Sequence, residues 1–342
     1  MQLVATLDRV RGRTYGYLSR VPGTRSIVAH KGRRIALMVM LSTLPAFALA
    51  ALAPTFSLIV APLLLGVPHL AADYRYLILR PRWPAPVLWL TLLGSLVVLG
   101  LRAAELVTKS SFGTWEVGAA LVWCAAMIAA AARASWQKRS IAALGLGALA
   151  CAALIQPELT RLIFGYAHNL VAIGLWLFLF RGARKTALWP LAMVAAGALL
   201  LLFGGDRWLS FGQAALGLSA LTGSEFFALP GVSGADLGVI TSFAFLQSVH
   251  YAIWLHVIPH EQLPGNRTAS FSRTFSGLRT DLGSIGILVV ALLTLTTAAG
   301  LFVAPEQARM SYTSLSTFHG YMELAIALYA WLTAGIHLRQ RE

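Results

Sequence analysis

Ten stretches of mostly apolar residues, each 16 to 22 residues long, run through this chain of 342 residues. A transmembrane helix needs about 20 consecutive apolar residues. Only 12% of the residues are charged, where a soluble domain has about 25%. This composition excludes an ordinary soluble globular protein, and it predicts an all-α, polytopic bundle of about ten transmembrane helices.

The predicted spans cover residues 35–54, 58–79, 85–103, 114–133, 140–155, 162–180, 187–204, 236–257, 282–303 and 317–337. They form one transmembrane domain at residues 35–338, after a basic tail at residues 1–34. The stretch near 206–235 is rich in Gly, Ser and Pro, and it predicts an outer interfacial or re-entrant segment. An eleventh span in that stretch is the alternative.

The charges predict the orientation of the chain. Lys and Arg outnumber Asp and Glu by 27 to 13, and basic residues cluster in the tail and after every second span. By the positive-inside rule both termini are cytoplasmic, in a bacterial inner membrane, with anionic lipid head groups as partners. The basic residues show no helix-face pattern with interleaved aromatics, which argues against nucleic acid as a partner.

Six of the eight histidines lie on even-numbered spans or at the end of one. These six are His69, His168, His250, His256, His260 and His319. An ionisable side chain at membrane depth is costly, so each is a functional candidate. The other two, His30 and His337, lie at the predicted inner border beside basic residues and are set aside.

Two histidines have a carboxylate one helical turn later: His69 with Asp73, and His319 with Glu323. Residues four apart share a helix face. Each pair therefore suits two metal ligands, or a ligand with the carboxylate that orients it. The alternative for the first pair is a polar contact in which Asp73 faces Arg75.

His168 and His250 are the other predicted ligands. His168 is followed by Asn169, and an interhelical hydrogen bond is the alternative explanation for it. Gln247 precedes His250 by three residues and shares its helix face. We expect His69, His168 and His250 to lie at similar depths and to converge.

His256 and His260 have the spacing of two ligands on one helix, but Pro259 lies between them. The alternative is that this pair sits at the cytoplasmic border near Glu261. On this span, His250 is therefore the predicted metal ligand, and the pair His256 and His260 is only a further candidate.

Together these residues predict a metal site rich in nitrogen ligands, which suits Fe, Cu or Zn. The predicted ligands are His69, His168, His250 and His319, with Asp73, Glu323, Gln247, His256 and His260 as supporting residues or further ligands. We expect Fe(II), O2 and a hydrophobic substrate from the bilayer, such as a carotenoid or lipid. The function predicted is a metal-dependent membrane oxidoreductase.

Three other functions fit the same pattern. A di-iron desaturase or hydroxylase would use both His and carboxylate pairs as ligands. A haem protein would use two of the histidines as axial ligands. A transporter or channel would relay protons or hold a cation on the histidines and carboxylates.

The segment GVPHLAAD resembles the Brp/Blh family of membrane β-carotene dioxygenases. Members carry Gly-x-Pro-His-x-x-x-Asp in an early span, matched here by Gly66, Pro68, His69 and Asp73. The resemblance implies a polytopic protein that holds iron through histidines and cleaves β-carotene centrally to retinal. It implies that His69 is an iron ligand supported by Asp73. A related oxidase acting on another hydrophobic molecule is the alternative.

Overall fold

The computed structural model describes residues 2–179, 184–216, 237–261, 263 and 270–333. Every regular element in these ranges is a helix, which confirms the all-α prediction. The α-helices are α1 (Gln2–Leu18), α2 (Thr24–Ala29), α3 (Lys31–Leu52), α4 (Pro54–Asp73), α5 (Ala85–Thr108), α6 (Gly113–Ala130), α7 (Trp136–Ile155), α8 (Pro157–Leu179), α9 (Arg184–Leu216), α10 (Leu237–Ala252), α11 (Ile258–Glu261), α12 (Phe271–Val303) and α13 (Pro305–Thr333). Two π-helical segments, Tyr74–Leu79 and Ile253–Val257, continue α4 and α10.

The chain is an integral membrane protein by the length and composition of its helices. Among the described residues, eight helices are long and apolar enough to cross a membrane. A helix suits this environment because it satisfies its backbone hydrogen bonds internally. Each of the ten predicted spans coincides with a helix, although α8 and α13 are not among those eight. The ten-span count and the cytoplasmic termini stay predictions.

The chain divides into two compact units. The first unit is made of the described residues within Met1–Ala72, Ala172–Phe227 and Asp236–Ala299. Helices α3, α9 and α10 pack together in it. Its fully buried side chains include Phe245, whose ring lies against Gly197 of α9.

The second unit is made of the described residues within Asp73–Val171 and Gly300–Glu342. Helices α5, α6 and α13 pack together, with α7 beside α6. A buried polar network joins the first three. Arg102 forms an ion pair with Glu116 at 2.6 Å, and Tyr321 donates a hydrogen bond to the same carboxylate at 2.8 Å.

Helix α9 is longer than the span predicted at 187–204. Residues 206–216, the first part of the predicted interfacial stretch, continue α9, while residues 217–235 lie outside the described residues. Gly205, just beyond the end of the predicted span, has a packing role. A Cβ on Gly205 would lie only 2.8 Å from Cα of Gly238, so this glycine lets α9 approach α10 closely.

Helix α12 is broken at Gly283, whose φ of 70° lies in the left-handed region that favours glycine. The break coincides with the predicted start of a span at residue 282. The part that follows the break is apolar, the part from Phe271 to the break is more polar, and the helix as a whole is one of the eight that are long and apolar enough to cross a membrane.

Candidate metal centre

The first unit buries a pair of histidines. His69 of α4 and His250 of α10 have no exposed surface. Their Nε2 atoms lie 2.6 Å apart, a hydrogen-bonding distance at which one imidazole donates to the other. The ring of Tyr251 packs on His69, with 4.9 Å between centroids. Two of the four predicted ligands thus meet from different helices.

Both helices that carry this pair lose their regular α-helical pattern close to the histidine. Helix α4 becomes π-helical directly after Asp73, and α10 does so three residues after His250. In α4, Pro68 also lacks the N–H that would join the backbone ladder. Short π-helical turns occur frequently at functional sites, so this shared irregularity favours a role for the pair beyond packing.

The second unit holds the other two predicted histidines and two carboxylates. His168 lies on α8, while His319 and Glu323 lie one turn apart on α13. The Nε2 atoms of the two histidines are 3.1 Å apart, and Nδ1 of His168 lies 2.9 Å from Oε2 of Glu323. The fourth member of this cluster is Asp73, with a carboxylate oxygen within 4.8 Å of one of Glu323.

The hydrogen bonds of the cluster fix which ring nitrogen carries the proton. Nδ1 of His319 bonds to the carbonyl oxygen of Ser316, which can only accept, so this nitrogen is the donor. Nδ1 of His168 lies 2.9 Å from Oε2 of Glu323 and is likewise the donor when that carboxyl is ionised. In a neutral imidazole the other nitrogen then carries a lone pair, so both Nε2 atoms are acceptors.

Two acceptor nitrogens that face each other need a cation between them, either a proton or a metal ion. A metal ion lies about 2.1 Å from an imidazole nitrogen, so adjacent nitrogens bound to one ion lie about 3.0 to 3.4 Å apart. The 3.1 Å between the Nε2 atoms of His168 and His319 falls in this range. The donor set and its spacing therefore fit a metal ion.

The two carboxylates of the cluster favour a cation for the same reason. Asp73 and Glu323 are fully buried and lie close together. Like charges at short distance in a low-dielectric interior repel each other strongly. A positive charge, from a proton or a metal ion, offsets that repulsion.

The helical spacing predicted that His319 and Glu323 are two metal ligands, or a ligand with the carboxylate that orients it, and the structure shows a hydrogen-bond partner for each on another residue. Glu323 bonds to His168 of the neighbouring helix, and the Ser316 carbonyl orients His319. The reason is that a carbonyl one turn earlier on α13 already lies within reach of Nδ1. The Glu323 carboxylate is then available to α8.

The remaining predicted residues lie elsewhere. The Gln247 amide donates to the hydroxyl of Tyr251 at 3.4 Å. Nδ1 of His260 bonds to the backbone carbonyl of His256 at 2.7 Å. Within the described residues, neither His256 nor His260 belongs to a group of metal-ligand side chains. His337 lies outside the described residues.

Glu261, the border residue suggested as their neighbour, has partners in the first unit. Lys31 lies 3.7 Å from its carboxylate, and the Trp176 indole donates to it at 3.4 Å. Neither contact involves His256 or His260, so the border position of that pair stays a prediction.

Sequence reasoning missed Gly320 and Ser316, which position the histidines of the second unit. A Cβ on Gly320 would lie 3.2 Å from Cγ of His168, so the glycine leaves room for that ring. The signal available in the sequence was a glycine directly after His319. The role of the Ser316 carbonyl has no sequence signal, because every residue has a carbonyl.

Comparisons with protein-family models, with curated proteins and with solved structures found no match.

Proposed function

We propose that this protein is a metal-dependent membrane oxidoreductase that holds non-haem iron and acts with O2 on a hydrophobic substrate. The observation that carries the proposal is the pair His168 and His319, whose Nδ1 atoms are both held by acceptors while their Nε2 atoms face each other. Metal-bound histidines usually have their second nitrogen held in this way. A bacterial inner membrane with both termini inside is the proposed location.

The residues present suit iron. Two histidines with one carboxylate and open positions are typical of non-haem Fe(II) oxygenases. In the second unit, His168 and His319 would supply the nitrogens, and one of the two buried carboxylates of the cluster, Asp73 or Glu323, the oxygen ligand. Glu323 would hold the proton on Nδ1 of His168 and so keep its Nε2 ready to bind. When bound, Fe(II) would supply the electrons and the coordination position that oxygen chemistry requires.

His69 and His250 remain proposed ligands as well. Their Nε2 atoms face each other in the first unit at 2.6 Å, so the two rings would have to move apart to the separation of about 3.0 to 3.4 Å that one ion requires. Metal binding there would replace the proton that the two nitrogens share. Both histidines are fully buried, which would keep water from a reactive site.

The proposal is tested by metal content. The protein is purified in detergent, reconstituted anaerobically with Fe(II), and analysed for iron and for its visible spectrum. We expect stoichiometric iron with weak visible absorption, and loss of iron in His168→Ala and His319→Ala. His260→Ala is the matched control and should keep its iron. Absence of bound metal would overturn the proposal in favour of a transporter, and a strong visible band would indicate haem.

The same measurement on His69→Ala and His250→Ala distinguishes one centre from two. Complete loss of iron in these variants as well as in His168→Ala indicates one shared ion. Loss of half the iron in each variant indicates two ions, as in a di-iron desaturase or hydroxylase. Full iron content in His69→Ala and His250→Ala would remove that pair from the proposed ligand set.

The substrate is proposed from the resemblance at Gly66, Pro68, His69 and Asp73. Central cleavage of a carotenoid double bond consumes one O2 and places one oxygen atom in each of two aldehydes, so it balances without an external reductant. We expect the iron-loaded protein to form retinal from β-carotene and O2. Turnover of another lipid instead would keep the oxidoreductase proposal and overturn the carotenoid assignment.

A further inference from the structure

Helix α1 carries three distinct stripes along its length. The residues that rest on the protein recur every three or four positions and are half-buried: Val4, Asp8, Arg11 and Tyr15. Beside this stripe runs an exposed apolar one, formed by Leu7, Val10, Tyr17 and Leu18, with 57% of Val10 and 68% of Tyr17 exposed. Next to the apolar stripe lie Arg9 and Arg13, followed by Arg20 just beyond the helix.

The half-buried stripe is fixed to a second helix by Asp8. Its carboxylate accepts hydrogen bonds from the backbone N–H groups of Phe271 at 2.7 Å and Ser272 at 3.1 Å, and from the Ser272 hydroxyl. These are the first residues of α12, whose N–H groups have no partner inside the helix. Asp8 therefore caps α12 from α1 and fixes the rotation of α1.

The charge that remains on this region is strongly positive. Residues 1–34 contain eight Lys and Arg and a single acidic residue, Asp8. Because Asp8 is held at the N-terminus of α12, its charge lies on the half-buried stripe, away from the exposed faces. The exposed faces of α1 are thus apolar and cationic side by side.

We propose that α1 lies in the plane of the membrane interface, with Leu7, Val10 and Tyr17 in the acyl boundary and Arg9, Arg13 and Arg20 on anionic lipid phosphates. A helix with an apolar stripe flanked by arginines is typical of interfacial helices. We assign the partner of this surface as the lipid bilayer, because anionic lipid head groups are complementary in charge to the arginines. Helix α3, a membrane-crossing helix of the same unit, begins at Lys31 and keeps α1 near the bilayer.

The test uses nitroxide labels on the full chain with Cys124 and Cys151 replaced by alanine. Val10→Cys reports the apolar stripe, and Ala5→Cys, exposed on the polar side, is the matched control. Collision with O2 and with a water-soluble nickel chelate is measured in nanodiscs of phosphatidylcholine with or without phosphatidylglycerol. With phosphatidylglycerol, we expect several-fold fewer nickel collisions at position 10 than at position 5, and more O2 collisions.

The arginines are tested in the combined variant Arg9→Gln, Arg13→Gln, Arg20→Gln. The label at position 10 should then collide with nickel as often in phosphatidylglycerol as in pure phosphatidylcholine. Equal nickel collisions at positions 5 and 10 in the original background would overturn the proposal. Protection of position 10 from both nickel and O2 would also overturn it, since protein rather than lipid would then cover the stripe. The proposal is independent of the metal centre.

Discussion

The acceptor on Nδ1 decides what a buried histidine can do. His168 and His319 have different acceptors, a carboxylate and a backbone carbonyl, yet both end with a lone pair on Nε2. The carboxylate adds negative charge and makes its imidazole the better electron donor. We therefore expect His168 to be the stronger of these two ligands.

Gly320 is expected to act on metal affinity through the position of His168. In Gly320→Ala, the new Cβ would lie 3.2 Å from Cγ of His168, so the ring must shift by a few tenths of an ångström. That shift changes its alignment with Glu323 and with Nε2 of His319. Disturbing residues that orient metal ligands typically lowers affinity by about 10-fold or more, and we expect roughly that loss in a chelator-competition titration with Fe(II).

Gly118→Ala is the control for this substitution. Gly118 also lies inside a helix of the second unit, α6, and a Cβ there would meet no atom within 4 Å. It therefore reports the general effect of replacing a helical glycine. Equal Fe(II) affinities in the two alanine variants would show that Gly320 does not position the histidine.

The helices of this fold could be predicted from the sequence where an apolar segment alone marks their position. The apolar segments located the helices of all ten predicted spans, and the start of the apolar part of α12 agrees with Gly283. Helix α9 continues past the predicted span end at residue 204, and the close approach of α10 at Gly205 has no local sequence signature. The π-helical turns were not predicted, since apolar periodicity does not distinguish i to i+5 bonding over one turn.

The hydrogen bonds from the N-terminus of α12 to the Asp8 carboxylate of α1 are expected to depend on pH. The Ser272 hydroxyl, followed by the backbone N–H groups of Ser272 and Phe271, lowers the pKa of Asp8 below its ordinary value of 3.8. A lowered carboxyl pKa stabilises the folded contact above the unfolded pKa, and that stabilisation is lost as the pH falls through the folded pKa. The stabilisation by this contact is thus fully present at pH 7, and it is lost at a pH below the ordinary pKa of Asp.

Hydrogen exchange at the Ser272 amide measures this dependence. At pH 7 the amide should exchange faster in Asp8→Ala than in the unsubstituted protein, and the ratio should fall towards unity as Asp8 is protonated. Asp8→Asn keeps an accepting oxygen without a titrating group, so its ratio should be smaller and independent of pH. A ratio for Asp8→Ala that stays constant down to strongly acidic pH would contradict the assignment.

The apolar periodicity predicts which helices carry the histidines, but not which of their nitrogen atoms meet. Spacing along one helix places His319 near Glu323, while the bond that forms joins Glu323 to His168 of another helix. Which side chains meet between helices depends on how each helix is rotated about its axis. The hydrogen bond from Tyr321 to Glu116 helps to fix the rotation of α13. That hydrogen bond joins two helices and has no local sequence signature.

The distribution of basic residues predicts which loops face the cytoplasm, and the alternative eleventh span makes that prediction sharply testable. With ten spans, Ser110 and Val303 lie outside and Ser276 lies inside. With an eleventh span in 206–235, Ser110 stays outside while Ser276 and Val303 exchange sides. Single cysteines at these three exposed positions, in a chain with Cys124 and Cys151 replaced, are treated in intact cells with a membrane-impermeant maleimide.

We expect labelling of Ser110→Cys and Val303→Cys, and labelling of Ser276→Cys only after the membrane is permeabilised. Ser110→Cys serves as the internal control, because both topologies place it outside. Labelling of Ser276→Cys in intact cells would show that this loop lies outside, which contradicts the ten-span topology. The basic residues Arg273 and Arg279 would then lie outside, against the energetic preference that holds positive charge on the cytoplasmic side.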